Sequence, residues 1–238
     1  MTSTIAIIII VFLAAFTQSV AGFGAALVAM SLLTLLLPIT FVTPLVALMG
    51  TFITISIFMR LRRHFDIKKV LPLAIGALPG IPFGIYFLTH FPENTVKKIL
   101  AVVLLLYSLY SLLNVRHSRI IRKEWGFLFG FLSGCLGGAF NTNGPPAIVY
   151  TSMQSWSKDD STVTLQSFFL LSGIMLITMH GLHGLITMDV LNHFFLLIPV
   201  IIAGVVAGSF IYNRVDQVSF RKIVYLLLVV LAMVLFFS

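Results

Sequence analysis

The sequence predicts an all-α polytopic membrane protein: two inverted four-segment repeats, each opening with a broken helix that is either re-entrant or kinked. Three observations predict it. The 238 residues are 59% hydrophobic and 9% charged, with mean hydropathy +1.10, a composition that belongs to polytopic membrane chains. Eight apolar runs are long enough to matter in a bilayer. The two halves also echo each other, as they do in many secondary transporters.

The runs fall at Ile5 to Leu37, Phe41 to Met59, Val70 to Leu88, Val96 to Val115, Trp125 to Thr151, Val163 to Met179, Leu191 to Tyr212 and Phe220 to Phe237. Pro38, Pro72, Pro92, Pro145 and Pro199, together with the charged loops, are expected to punctuate them. The first run is about 33 residues, roughly 50 Å as straight helix against a hydrocarbon core of about 30 Å, so it is too long for one plain crossing. Near its middle lies Thr17-Gln18-Ser19-Val20-Ala21-Gly22-Phe23-Gly24, polar and then small. It begins without a basic n-region and is read as mature membrane helix rather than a signal peptide.

The fifth run carries the strongest break signal, Gly137-Gly138-Ala139-Phe140-Asn141-Thr142-Asn143-Gly144-Pro145-Pro146. The prolines remove backbone donors and the first pushes Gly144 out of the α region. A helix entering from Trp125 is therefore expected to stop near Asn141, and a second to start at Pro145. In lipid, unpaired backbone groups are tolerated only where protein buries them or where they line a wet cavity, so the break points to a site.

The internal echo is specific. Gly80-Ile81-Pro82-Phe83-Gly84, then Val96-Lys97-Lys98-Ile99, matches Gly204-Val205-Val206-Ala207-Gly208, then Phe220-Arg221-Lys222-Ile223, at an offset of 124 residues. The predicted repeats are residues 1–117 and 118–238, forming one membrane domain. Charge argues their orientation. If each run crosses once, nine basic residues fall inside (Arg60 to Lys69 and Arg116 to Lys123) against six outside. If the first and fifth runs dip in and return, Lys158, Arg214, Arg221 and Lys222 move inside and the balance becomes thirteen against two. The inverted arrangement obeys the positive-inside tendency better. That tendency also accounts for the net charge of +8 without nucleic acid.

All seven acidic and all fifteen Lys and Arg residues lie in loops or at run ends. A membrane interior without formal charge argues against a cation carrier or proton pump built on an intramembrane carboxylate. An anion needs no basic side chain, because helix N-termini offer unpaired amides and partial positive charge. Gln18, Ser19, Asn141, Thr142 and Asn143 would add neutral hydrogen bonds, and small residues such as Gly22, Gly24, Gly138 and Gly144 would let backbone approach the solute or, alternatively, let helices pack closely. Ser167, Ser172, Thr51 and Thr54 are read as packing residues satisfied by preceding carbonyls, with Gln166 kept as a candidate. His180, His183 and His193 are read as interfacial, Trp125 and Trp156 as aromatic-belt residues, and Cys135 as a small packing residue; no metal site is predicted. No Gly-x-Ser-Gly element, His-Glu-x-x-His, membrane aspartate pair or phosphate-binding loop is present, so neither catalysis nor ATP hydrolysis is expected and no cofactor is implied.

The pairing of Gln18-Ser19-Val20-Ala21-Gly22-Phe23-Gly24-Ala25 in one half with Gly134-x-x-Gly137-Gly138-Ala139-Phe140-x-x-x-Gly144-Pro145-Pro146 in the other resembles the TauE/SafE family of sulfite and organosulfonate exporters and permeases. The resemblance spans nearly the whole chain. It implies a multi-pass carrier in the plasma membrane for small sulfur-containing anions such as sulfite, thiosulfate or sulfoacetate, coupled to an ion gradient of H+ or Na+, and is compatible with a homo-oligomer. Many members carry a basic residue near the start of the sixth run, where this chain offers only Lys158. The substrate-binding set expected is Gln18, Ser19, Gly22, Phe23, Gly24, Gly138, Phe140, Asn141, Asn143, Gly144, Pro145 and Gln166, with one half rocking against the other. The alternatives are a passive anion channel, a permease for another small organic anion, or a membrane scaffold with no solute of its own.

Overall fold

The computed structural model describes residues 2–61, 65–113, 120–211 and 217–237. Among them the chain forms ten helices and no strand: α1 (Thr2–Ala21), α2 (Ala25–Leu33), α3 (Ile39–Leu61), α4 (Ile67–His90), α5 (Glu93–Leu112), α6 (Trp125–Phe140), α7 (Gly144–Ser152), α8 (Lys158–Leu182), α9 (Met188–Ile211) and α10 (Gln217–Phe237). Six of them (α1, α3, α4, α5, α8 and α9) are long and apolar enough to cross a membrane, while α6 and the apolar part of α10 are shorter. Arg62, Arg63, Arg116, Arg119, Arg214 and the boundary at His117 and Ser118 lie outside the described residues.

Two prolines expected to end helices do not. Pro72 sits inside α4, which also contains Pro79 and Pro82, and Pro199 sits inside α9. Each removes one backbone donor, but transmembrane helices accept this because neighbouring helices shield the freed carbonyl from lipid. Pro92, by contrast, does cap α5 from outside. Large apolar side chains such as Phe83, Leu196 and Phe210 are exposed, as suits a surface facing lipid, while the polar residues Gln18, Ser31, Thr43 and Gln166 are buried.

The tightest contact in the molecule is between α4 and α6. Gly76, Gly80 and Gly84 form one ridge at a spacing of four, and Gly130, Gly134 and Gly138 form the other. A methyl group at Gly80 would lie 2.3 Å from the Phe131 carbonyl oxygen, and one at Gly134 would lie 2.6 Å from that of Ala77. The helices touch backbone to backbone, which only small residues at the interface permit. A similar seam joins α9 to α1, where methyl groups at Gly204 and Gly208 would come within 2.8 Å of the Phe12 carbonyl and 2.6 Å of the Ser19 Cβ.

Pairings recur through the fold: α4 packs on α6 and α9 on α1, α1 on α2 and α6 on α7, α4 on α8 and α9 on α3. The α3/α8 and α5/α10 pairs close the bundle. Ends of helices are tied as well. The Ile121 N–H donates to the Met153 carbonyl (3.2 Å) and the Tyr150 hydroxyl to the Lys123 carbonyl (3.2 Å), so the start of α6 lies beside the end of α7. Lys69 at the start of α4 pairs with Asp160 near the start of α8 at 3.1 Å and lies over the Trp156 ring. Elsewhere the Ile39 amide donates to Glu93, and Phe41 meets the His193 ring edge-on.

These seams make a prediction. Gly80→Ala should lower the unfolding free energy by about 1–3 kcal/mol through overpacking. Gly181→Ala, a helical position with nothing within 4 Å, should leave it unchanged or raise it slightly. Thermal unfolding in detergent compares the two, and equal behaviour would show that the α4/α6 contact yields easily.

Candidate functional site

Helix α1 ends at Ala21 because the next residues leave helical geometry. Gly22 has φ +80° and Gly24 φ +107°, left-handed conformations that favour glycine. The Gly22 N–H caps the Gln18 carbonyl at 2.8 Å, and the Gly22 carbonyl accepts from Gln166 Nε2 on α8 at 2.7 Å. Helix α6 ends similarly, with Asn141 in the left-handed region at φ +51° and its N–H on the Gly137 carbonyl at 2.7 Å. The Thr142 N–H covers Leu136. Asn is among the few side chains that tolerate this conformation.

The two interruptions converge on one cavity of about 50 Å3, space for a few waters at about 10–15 Å3 each. Of the residues expected at the site, Gln18, Phe23, Gly24, Asn141, Asn143 and Gly144 line it. Among the described residues no Lys, Arg, His, Asp or Glu does. Gln18 Nε2 donates to Thr54 Oγ1 (3.2 Å), tying α1 to α3, and Asn143 Nδ2 donates to Ser172 Oγ (2.6 Å), tying the start of α7 to α8. Because the Ser172 hydroxyl itself donates to the Phe168 carbonyl (2.7 Å), it can only accept from Asn143, which fixes that amide with its oxygen turned the other way.

The other six expected residues lie outside the cavity wall. The Ser19 hydroxyl donates to the Val205 carbonyl (2.8 Å) in the α1/α9 seam. Gly138 belongs to the α4/α6 seam, and Phe140 is buried against Phe87. Pro145 is buried in the first turn of α7. Gly22 and Gln166 act on each other, one as acceptor and one as donor.

The amides are supplied unequally. The first turn of α2, Ala25-Ala26-Leu27, has N–H groups with no partner inside their own helix, and Ala26 and Leu27 line the cavity. At α7, Pro145 and Pro146 remove two of the corresponding donors, leaving Gly144. A solute would therefore meet more backbone donors from α2 than from α7.

The family model for the sulfite exporter TauE/SafE matches residues 7–235, nearly the entire chain. The chain belongs to the TauE/SafE family. No curated protein and no solved structure matches it. A TauE/SafE protein is a membrane transporter of several spans, and the apolar helices here agree with that.

Some readings of the TauE/SafE chain from sequence need correction. Thr51 and Thr54 were expected to bond to preceding carbonyls, as Ser167 and Ser172 do, yet both line the cavity; Thr54 accepts from Gln18 and the Thr51 hydroxyl has no partner. Their spacing of three, on one helical face of an apolar run, was the available signal. Gly50 and Gly173, also in the wall, carried none. His180, in the last turn of α8, is fully buried in the protein, whereas His183 just beyond that helix is exposed with Nδ1 on the Met179 carbonyl.

The left-handed turn at Asn141 yields a stability test. Asn141→Gly should be tolerated, while Asn141→Val should cost about 1–2 kcal/mol, since a branched side chain resists that conformation. Equal unfolding temperatures for the two variants would show that the turn relaxes.

Proposed function

We propose that the protein is a secondary transporter of small sulfur-containing anions: sulfite, thiosulfate or organosulfonates such as sulfoacetate. The solute would sit at the membrane midplane, where the two helix interruptions meet. The observation that carries this reading is the cavity itself, polar and free of charged side chains, reached by the start of α2 and by the Asn141-Thr142-Asn143 turn. Backbone amides and neutral side chains hold an oxyanion without a basic residue. Gln18, Asn141 and Asn143 orient it, while Gly24 and Gly144 allow close approach.

The architecture proposed is two inverted repeats, residues 1–117 and 118–238, with α1/α2 and α6/α7 as hairpins that enter the membrane and return. The joined ends of α6 and α7 support it, as do the recurrent helix pairings. The Lys69–Asp160 pair supports it further, because a fifth segment that crossed once would put those residues on opposite faces. A plasma-membrane location and coupling to H+ or Na+ complete the reading.

Two experiments test it. In a variant lacking Cys135, an impermeant maleimide applied to intact cells should label Thr187→Cys and spare Ser157→Cys; the reverse pattern would sink the inverted arrangement. In proteoliposomes, uptake of labelled sulfite or thiosulfate should saturate, accelerate with the same anion on the opposite side, and fall at least tenfold in Asn141→Ala, the loss expected for a hydrogen bond to a charged group. Flux without trans-stimulation would identify a pore.

A further inference from the structure

Hydroxyls inside a membrane protein normally donate to the carbonyl one turn back, and this chain follows the rule at Ser31, Thr34, Thr43, Ser167 and Ser172, at 2.5–2.7 Å. Thr51 and Thr142 break it. Both are buried, at 8% and 1% exposure, and both hydroxyl oxygens are enclosed without a partner. They also line the cavity, from α3 and from the turn between α6 and α7. Ser108 and Ser133 lack partners too, but they lie on α5 and α6 away from the cavity wall.

An unpaired buried hydroxyl carries a standing cost, and two on side chains that line one small cavity are retained at that cost unless something else fills their bonding capacity. An oxyanion presents several acceptor oxygens and no need for a countercharge from the side chains. Resting on the transport reading above, we propose that Thr51 and Thr142 are specificity-determining residues that donate their hydroxyls to the oxygens of the bound oxyanion. They approach from two elements, so together they select for a solute carrying at least two oxygens on one centre, as a sulfonate or sulfite does. The Thr51 hydroxyl lies against α8 where glycine leaves room: a methyl group at Gly173 would come within 2.3 Å of Thr51 Oγ1. Gly173→Ala is therefore expected to turn that hydroxyl away without removing it.

The test measures unfolding temperature and ligand affinity separately, in the full chain in detergent, for wild type, Thr51→Val, Thr142→Val, the two Ser variants and Gly173→Ala. The probes are sulfite, thiosulfate and methanesulfonate. A reserved donor predicts opposite signs. The ligand-free Val variants should melt at the same temperature or higher, because an unpaired hydroxyl has gone, while their affinity falls about tenfold for each lost bond to a charged group. Serine should restore affinity, and Gly173→Ala should weaken binding as Thr51→Val does. Val variants that bind all three probes like wild type would overturn the assignment, as would ligand-free Val variants that melt at lower temperature, since these hydroxyls would then be structural bonds. If wild type binds none of the probes, the sulfur-anion reading falls by itself; the ligand-free melting temperatures still decide whether the two hydroxyls are reserved for a different oxyanion or structural.

Discussion

A carbonyl or amide left unpaired away from water costs several kcal/mol, so a helix that stops within a packed apolar bundle must hand its free groups to something else. This fold depends on how that is done after Ala21 and Phe140. At the first stop, the Gly22 amide turns back on Gln18, and the Gly22 carbonyl is taken by a glutamine from a helix 144 residues away in sequence. At the second, a left-handed asparagine and its neighbour cover the last carbonyls of α6, while the Asn143 side chain is anchored to Ser172. Both solutions require α8, which supplies Gln166 to one turn and Ser172 to the other. The first-turn residues Ala26 and Leu27 of α2, whose amides have no partner within their own helix, lie beside the cavity.

Much of this was legible because membrane physics writes itself into sequence strongly. Apolar runs of the right length gave the helical class, and the positions of charges gave the loops. The Gly-Phe-Gly and Gly-Gly-x-x-x-x-x-Gly-Pro elements carried the family resemblance, since glycines in left-handed turns and prolines leave few backbone options. Prolines within α4 and α9 misled for the same physical reason that makes membranes lenient: neighbouring helices replace the lost bonds.

The site was only half legible, and the division has a cause. The cavity-lining residues near the breaks, such as Gln18, Gly24, Asn141 and Asn143, were legible because the breaks were. Ser19 and Gly138 share those stretches but face the opposite side of their helices, into the glycine seams, and no local pattern separates the two faces when every neighbour is apolar or small. Thr51, Thr54 and Gly173 come from uninterrupted helices whose role depends on tertiary placement. The burial of His180 in the last turn of α8 likewise depends on packing and not on local pattern.

The glycine seams bear on how such a molecule can move. Helices in backbone contact have no layer of pliable side chains between them, so α4 with α6, and α9 with α1, each form one closely packed body. Each body takes one helix from the first half of the chain and one from the second. Motion that separated residues 1–117 from residues 118–238 would have to tear both seams. A rearrangement that kept both seams closed while opening the cavity alternately to the two faces would shear along the looser contacts between these bodies and the α3/α8 pair, so that the moving parts would cut across the sequence halves.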